Sequence, residues 1–195
     1  YKWIQANLKI FPMVCQVLDD YRSENKKIGI DICREFLRIV PKDIILKFNL
    51  HMVLYESFKV NVSFDSESLV FETLILWIRL IEKTEIHASK SFLKRSDELL
   101  LLLCRDIGIT SKIGRIVVFL RGLAELLNLM QYCAIRYLRK VAVTLCESVK
   151  ENWSSDELVL AGEDAMAVLI KNCWIRITVE LKDIIIDTFG GNKEI

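Results

Sequence analysis

Leu18-Asp19-Asp20-Tyr21-Arg22-Ser23-Glu24-Asn25-Lys26-Lys27-Ile28-Gly29 is the stretch on which the fold turns. An apolar run at helical spacing ends in two acids and an aromatic residue. A polar turn follows, and a second apolar helical run opens with a glycine. This is the elbow of an antiparallel helix pair, the unit from which α-solenoids are stacked. Asp19 or Asp20 is suited to accept hydrogen bonds from free amides in the turn, and Ser23 or Asn25 to cap the next helix. Glu24 adds favourable charge at that helix's N-terminus. Gly29, lying one turn inside, lets two helices approach closely.

Helical spacing continues outward from the elbow in both directions, and no run of strict alternation interrupts it. A first helix is expected over about 2–18, broken, kinked or restarted at Pro12. A second runs over about 25–40, with Gly29, Ile32, Cys33, Phe36, Leu37 and Val40 inward and Arg34, Glu35 and Arg38 outward. Pro41 suits the first turn of a short helix ending near Phe48. Asn49 is placed to cap another helix reaching Val60, and residues 63–68 form a polar turn. From Leu69 to Ile81 the pattern is apolar almost all round, so Phe71, Leu74, Ile75, Trp77 and Ile78 require cover on several sides. Trp77 and Phe71 are expected to be deeply buried. Further helices are read at about 89–107, 112–128, 131–151, 156–173 and 176–189. Ser111 and a Ser154/Glu157 capping box mark two of their starts.

About nine helices in up-down order make roughly four pairs, so the expected fold class is all-α, a HEAT-like α-solenoid in one domain over residues 1–195. The bulk properties agree. In 195 residues, 52% are hydrophobic and only 7 Gly and 2 Pro interrupt the chain, a composition suited to long helices packed on two sides. The net charge of +1 provides no bulk field for nucleic acid or anionic lipid. The longest apolar stretches, 99–104 and 116–120, fall far below the ~20 residues that a membrane helix needs. No signal-peptide pattern is visible, and a soluble, intracellular protein is expected. Cys15, Cys33, Cys104, Cys133, Cys146 and Cys173 never form a CxxC pair and sit among apolar neighbours. Neither a disulfide framework nor structural zinc fits that spacing, because scaffolds and zinc ligands use close pairs. His51 and His87 lie far apart without cysteines at ligand spacing. Six buried thiols are the expectation.

Little in the chain suggests catalysis. Adjacent Asp19 and Asp20 diverge on a turn, whereas acid–base work needs two carboxylates converging on one substrate. Glu82/Glu85 and Glu163/Asp164 read as solvated helix faces or ends. Gly108 to Gly114 lacks the Gly-Lys-Ser/Thr ending and preceding strand of a phosphate loop, and reads as a helix–helix turn capped by Ser111. No catalytic, cofactor-binding or metal-binding residue is assigned, and no cofactor is expected. Candidate contact residues are more visible. Arg136, Arg139 and Lys140 share one helix face, opposite Ala134, Leu138, Val141, Leu145 and Val149, with Glu147 on the charged side. That face is either solvated or meets an acidic partner. Trp153 stands in the polar loop 152–155, either packed over helix ends or exposed as an interface anchor. Ile177, Leu181, Ile184, Ile185 and Ile186 crowd the last helix; part of the cluster packs inward, leaving Ile185 and Ile186 as candidates for a partner.

The elbow also carries a family resemblance. The order Asp19-Asp20-Tyr21, a basic residue, Glu24-Asn25, a basic residue and Gly29 resembles the Tel-two-interacting protein two family, a subunit of the TTT co-chaperone complex. Val40-Pro41, Phe48-Asn49, Val53 and Tyr55 follow at the same spacing. The resemblance spans residues 10 to 178 and is specific over 19 to 58. Downstream it rests on apolar helices such as 126–149 and on Trp174. It implies a C-terminal fragment, since the family's N-terminal part is missing and Tyr1 is not an initiator. It also implies a non-enzymatic scaffold in the cytoplasm and nucleus. Its partners would be the Tel subunit and the other Tel-interacting subunit. Through them it would help the ninety-kilodalton heat-shock chaperone and its adaptor mature phosphatidylinositol-3-kinase-related kinases, which act in DNA-damage, telomere and TOR signalling. Nucleic acid and membrane are not expected partners. The alternative is an unrelated HEAT/armadillo adaptor for transport or other protein–protein contact.

Overall fold

A computed structural model describes residues 11–85 and 93–190. They form ten α-helices and two 3-10 turns, with no strand among the described residues. The fold is all-α, as the periodicity requires. The chain divides into two compact units, Tyr1–Phe92 and Leu93–Ile195.

The first unit holds α1 (Phe11–Leu18), α2 (Ser23–Ile39), α3 (Lys42–Lys47), α4 (Leu50–Asn61) and α5 (Glu67–Glu85). α1 packs on α2 and α4 on α5, as antiparallel pairs across short turns. The pairs then stack like on like, α1 against α4 and α2 against α5. A helix that touches both its partner and the equivalent helix of the next pair is the packing rule of a HEAT-like solenoid. Trp77, Leu80 and Ile81 on α5 are fully buried, and Trp77 meets Tyr55 of α4 edge-on at 5.0 Å and 88°. α5 is therefore covered on several sides, as its apolar pattern demands.

The second unit holds α6 (Leu93–Ile109), α7 (Ile113–Met130), α8 (Leu138–Glu151), α9 (Asp156–Cys173) and α10 (Val179–Phe189), with 3-10 turns at Gln131–Tyr137 and Trp174–Arg176. Here α6, α8 and α10 form one row and α7 with α9 the other, and the rows are joined by α6–α7 and α8–α9 packing. Leu120, Leu123, Leu126 and Leu127 of α7, with Ala165 and Leu169 of α9, are fully buried.

Several local expectations need correction. Within the described residues α1 runs from Phe11 to Leu18 and contains Pro12, and nothing there contradicts a helix restarting at Pro12; the expected residues 2–10 lie outside the described residues, as do 86–92 and His87. α2 starts at Ser23, preceded by Arg22 without a side-chain cap. Ile32 is exposed, Phe36 is half-buried and Ile30 is buried instead, which rotates the apolar face from the one expected. Arg34, expected outward, is half-buried because it reaches Glu72 on α5. Asn49 does start α4, but through a left-handed backbone (φ 54°, ψ 24°) and not through its side chain. Phe71 is half-buried. Glu85, expected in solvent, is buried. Ser111 makes no cap, since α7 is preceded by Lys112. Ser155, not Ser154, caps α9 by accepting from Leu158 N–H at 3.4 Å, while Glu157 turns to Arg121 at 3.1 Å. The expected helix over 131–151 is a 3-10 turn followed by α8, because Gln131 reverses the chain at φ 49°, ψ −131°. The expected last helix, 176–189, begins only at Val179, capped by Thr178.

Candidate interaction surface

The elbow is built as a polar clamp. Gly29 sits where an added Cβ would lie 2.7 Å from the Leu18 backbone, so α1 and α2 close to a separation that only glycine permits. That approach brings Lys26 into the interior, 5% exposed. Its ammonium donates to Leu18 O at 2.9 Å and to Asn61 Oδ1, and lies 4.8 Å from the Phe64 ring centroid. Burial pushes the Lys26 pKa down, and the nearby Asp19 and Asp20 carboxylates oppose that shift. Asp19 Oδ1 accepts from Ser57 Oγ at 3.0 Å and from Asn61 Nδ2 at 3.1 Å. Asp19 thus binds α4, and of the two acids it is Asp20 that accepts from a turn amide.

Asp20 does hold the turn. Its carboxylate accepts from Arg22 N–H at 2.8 Å, from the Arg22 guanidinium at 3.2 Å and from Asn25 Nδ2 at 2.7 Å. The Arg22 side chain first, then its N–H, then Asn25 keep the Asp20 carboxyl well below the usual carboxylate range. Asn25 is therefore a donor to Asp20 and not a helix cap. Both acids are consumed by structure.

The expected contact residues are placed as follows. Arg136 lies in the 3-10 turn, not on one helix face with Arg139 and Lys140, and pairs with Asp97 of α6 at 2.8 Å. Arg139 and Lys140 are exposed at the start of α8. Trp153 is 42% exposed. On α10, Leu181 is buried, Ile184 and Ile185 are half-buried and Ile186 is 50% exposed. Ile177 is half-buried in the segment before it. The structure adds neighbours in sequence that were not singled out as exposed: Trp174, Ile175 and Val179, at 67%, 74% and 75%. Trp174 and Ile175 lie in the 3-10 turn and Val179 at the start of α10. The expected helix over 176–189 concealed only the exposure of Val179.

Among the described residues, no group of three or more His, Cys, Asp or Glu is placed to hold a metal ion, and no helix is long and apolar enough to cross a membrane. All six cysteines are free thiols. Cys33, Cys104, Cys146 and Cys173 are buried, while Cys15 and Cys133 are only half-buried, short of the expected six. Burial pushes the Cys33 thiol up to about 12 and that of Cys104 to about 11, so neither is a ready nucleophile.

Comparison with known proteins gives one relationship to set beside this geometry. No protein-family model matches the chain. No solved structure matches it. Among curated proteins it is similar to TELO2-interacting protein 2 of Homo sapiens, which by its name interacts with TELO2. The identity is 21% over 187 residues, covering 92% of this chain and 37% of that protein. The chain thus spans little more than a third of that relative's length, and its similarity, at this level of identity, is to a Tti2-like protein.

Proposed function

We propose that this chain is a helical-repeat segment of a non-enzymatic scaffold subunit of the TTT co-chaperone complex. The observation that carries the reading is the similarity to TELO2-interacting protein 2 over 92% of the chain. It is supported by stacked helix pairs, which present extended side-chain rows to partners. The elbow residues Asp19, Asp20, Asn25 and Gly29, which carry the family resemblance, also have structural work that only a closed helix pair requires. On this reading the direct partners are the Tel subunit and the other Tel-interacting subunit, in the cytoplasm and nucleus. The complex serves the maturation and stability of phosphatidylinositol-3-kinase-related kinases with the ninety-kilodalton heat-shock chaperone and its adaptor. No catalysis is assigned to the chain, since its paired acids are engaged in the elbow.

The test is co-purification of the tagged chain with the other two TTT subunits from its own source. Stoichiometric recovery of both is expected. A folded chain that recovers neither would overturn the reading in favour of an unrelated helical adaptor. Ile185→Glu with Ile186→Glu then asks where contact lies: loss of recovery without loss of helical circular dichroism supports α10, and undiminished recovery moves the interface elsewhere.

A further inference from the structure

α2 and α5 run side by side in the same direction. Ser23 and Lys27, at the start of α2, share a cavity with Ser66 and Leu69 at the start of α5. Arg34 and Arg38, near the end of α2, share one with Arg79 and Lys83 near the end of α5. The two cavities lie along the same seam, separated by the Arg34–Glu72 ion pair that crosses from α2 to α5. The two cavities differ in charge. The first, about 250 Å³, is lined by hydroxyls with Glu24, Lys27 and Glu72. The second, about 350 Å³, has four cations against Glu35 and Glu82, over the apolar floor of Leu37.

The four cations are not equally committed. Arg34 is held by Glu72 at 2.6 Å and by Asp31, and serves as a wall. Lys83 donates to Leu37 O, which anchors it at the C-terminal turn of α2. Arg38 pairs with Glu35 at 2.7 Å, both side chains more than half exposed, an arrangement that costs little to exchange. Arg79 is exposed and makes no ion pair or hydrogen bond with a described residue. Two guanidinium groups therefore face the groove in a state to accept carboxylates, beside a third cation fixed in place.

We infer that the cavity between the C-terminal halves of α2 and α5 is a docking groove for an acidic peptide segment of a protein partner, whose carboxylates meet Arg38 and Arg79 over the Leu37 floor. Glu35 and Glu82 interleave with the cations, which suits spaced carboxylates and opposes the unbroken charge of a nucleic-acid backbone. The apolar floor asks for at least one aliphatic side chain among the acids. This rests on the charge and shape of the first unit alone, and stands or falls independently of membership in the TTT complex.

The probe is a fluorescein-labelled heptapeptide of Glu interspersed with Leu, titrated against the whole chain by fluorescence anisotropy. Controls are the same peptide with Lys for Glu, and a uridine heptanucleotide. Saturable binding of the acidic peptide alone is expected. Arg79→Glu should weaken it by about tenfold and Arg38→Gln by about threefold, while Lys59→Glu, an equal charge reversal on an exposed turn of α4, should change it by less than about twofold. Each variant is compared at matched circular dichroism; Arg38→Gln, which keeps a polar side chain, decides the case where Arg79→Glu does not fold. The inference is overturned by absence of saturable binding, by equal binding of the Lys peptide, by tighter binding of the nucleotide, or by equal loss in Lys59→Glu.

Discussion

Gly29→Ala and Gly108→Ala are the same substitution in two helices, one in the interior of α2 and one in the last turn of α6, and the structure assigns them opposite signs. By propensity alone, replacing glycine with alanine inside a helix stabilises by about 0.5–1 kcal/mol. Gly108 stands exposed in the last turn of α6, and an added methyl would meet nothing within 4 Å, so a small gain, up to about 0.5 kcal/mol, should appear. At Gly29 the added Cβ would lie 2.7 Å from both Cα and N of Leu18 and 3.1 Å from the Val17 carbonyl carbon. Those are backbone atoms, and relief requires α1 to move bodily from α2 by several tenths of an ångström. Leu18 is fully buried in that seam, and Lys26 and Asp19 tie the elbow to α4 through Asn61. Overpacking of this kind costs about 1–3 kcal/mol, more where backbone must shift. The propensity gain offsets only part, so a net loss of about 1–2 kcal/mol is expected for Gly29→Ala. Urea unfolding followed by circular dichroism at 222 nm measures both variants against the parent. Equal stabilisation of the two would refute the close approach at the elbow.

Four further outcomes follow from the same geometry. Trp77→Ala should cost about 3–5 kcal/mol through lost burial and a cavity beside Tyr55; a cost below about 1 kcal/mol by the same urea assay would show α5 to be poorly covered. Gln131→Gly should raise stability by about 1 kcal/mol, because φ 49° with ψ −131° strains any residue with a side chain; a lower melting temperature would contradict the turn geometry. Asp19→Ala, which removes the acceptor of Ser57 Oγ and one of the two acceptors of Asn61 Nδ2, should cost about 1–2 kcal/mol and more than Asp20→Ala, whose bonds to Arg22 are exposed. The folded Asp20 carboxyl titrates below its unfolded range, so its stabilisation is present above the ordinary carboxylate pKa and is lost as pH falls through the folded value. Parallel acid-unfolding curves for parent and Asp20→Asn would remove that role.

What the sequence determined by itself was the class of structure. Apolar spacing, few breakers and the Asp-Asp to Gly elbow specify paired helices, because amphipathic periodicity and glycine at a close crossing are local properties of the chain. Trp77 could be placed in the core for the same reason. The tertiary structure decided what individual polar residues do. Asp19 and Lys26 look like ordinary turn and surface residues until α4 supplies Ser57 and Asn61 from about forty positions away. Ser154 and Ser155 are equivalent as caps in sequence, and the entry path of α9 chose between them. The exposure of Trp174, Ile175 and Val179, and the meeting of Arg38 with Arg79, depend on which helix faces pack. Helical periodicity says that a face is buried; only the packing of one helix on another says which partners it meets there, and hence which charges are left for a ligand.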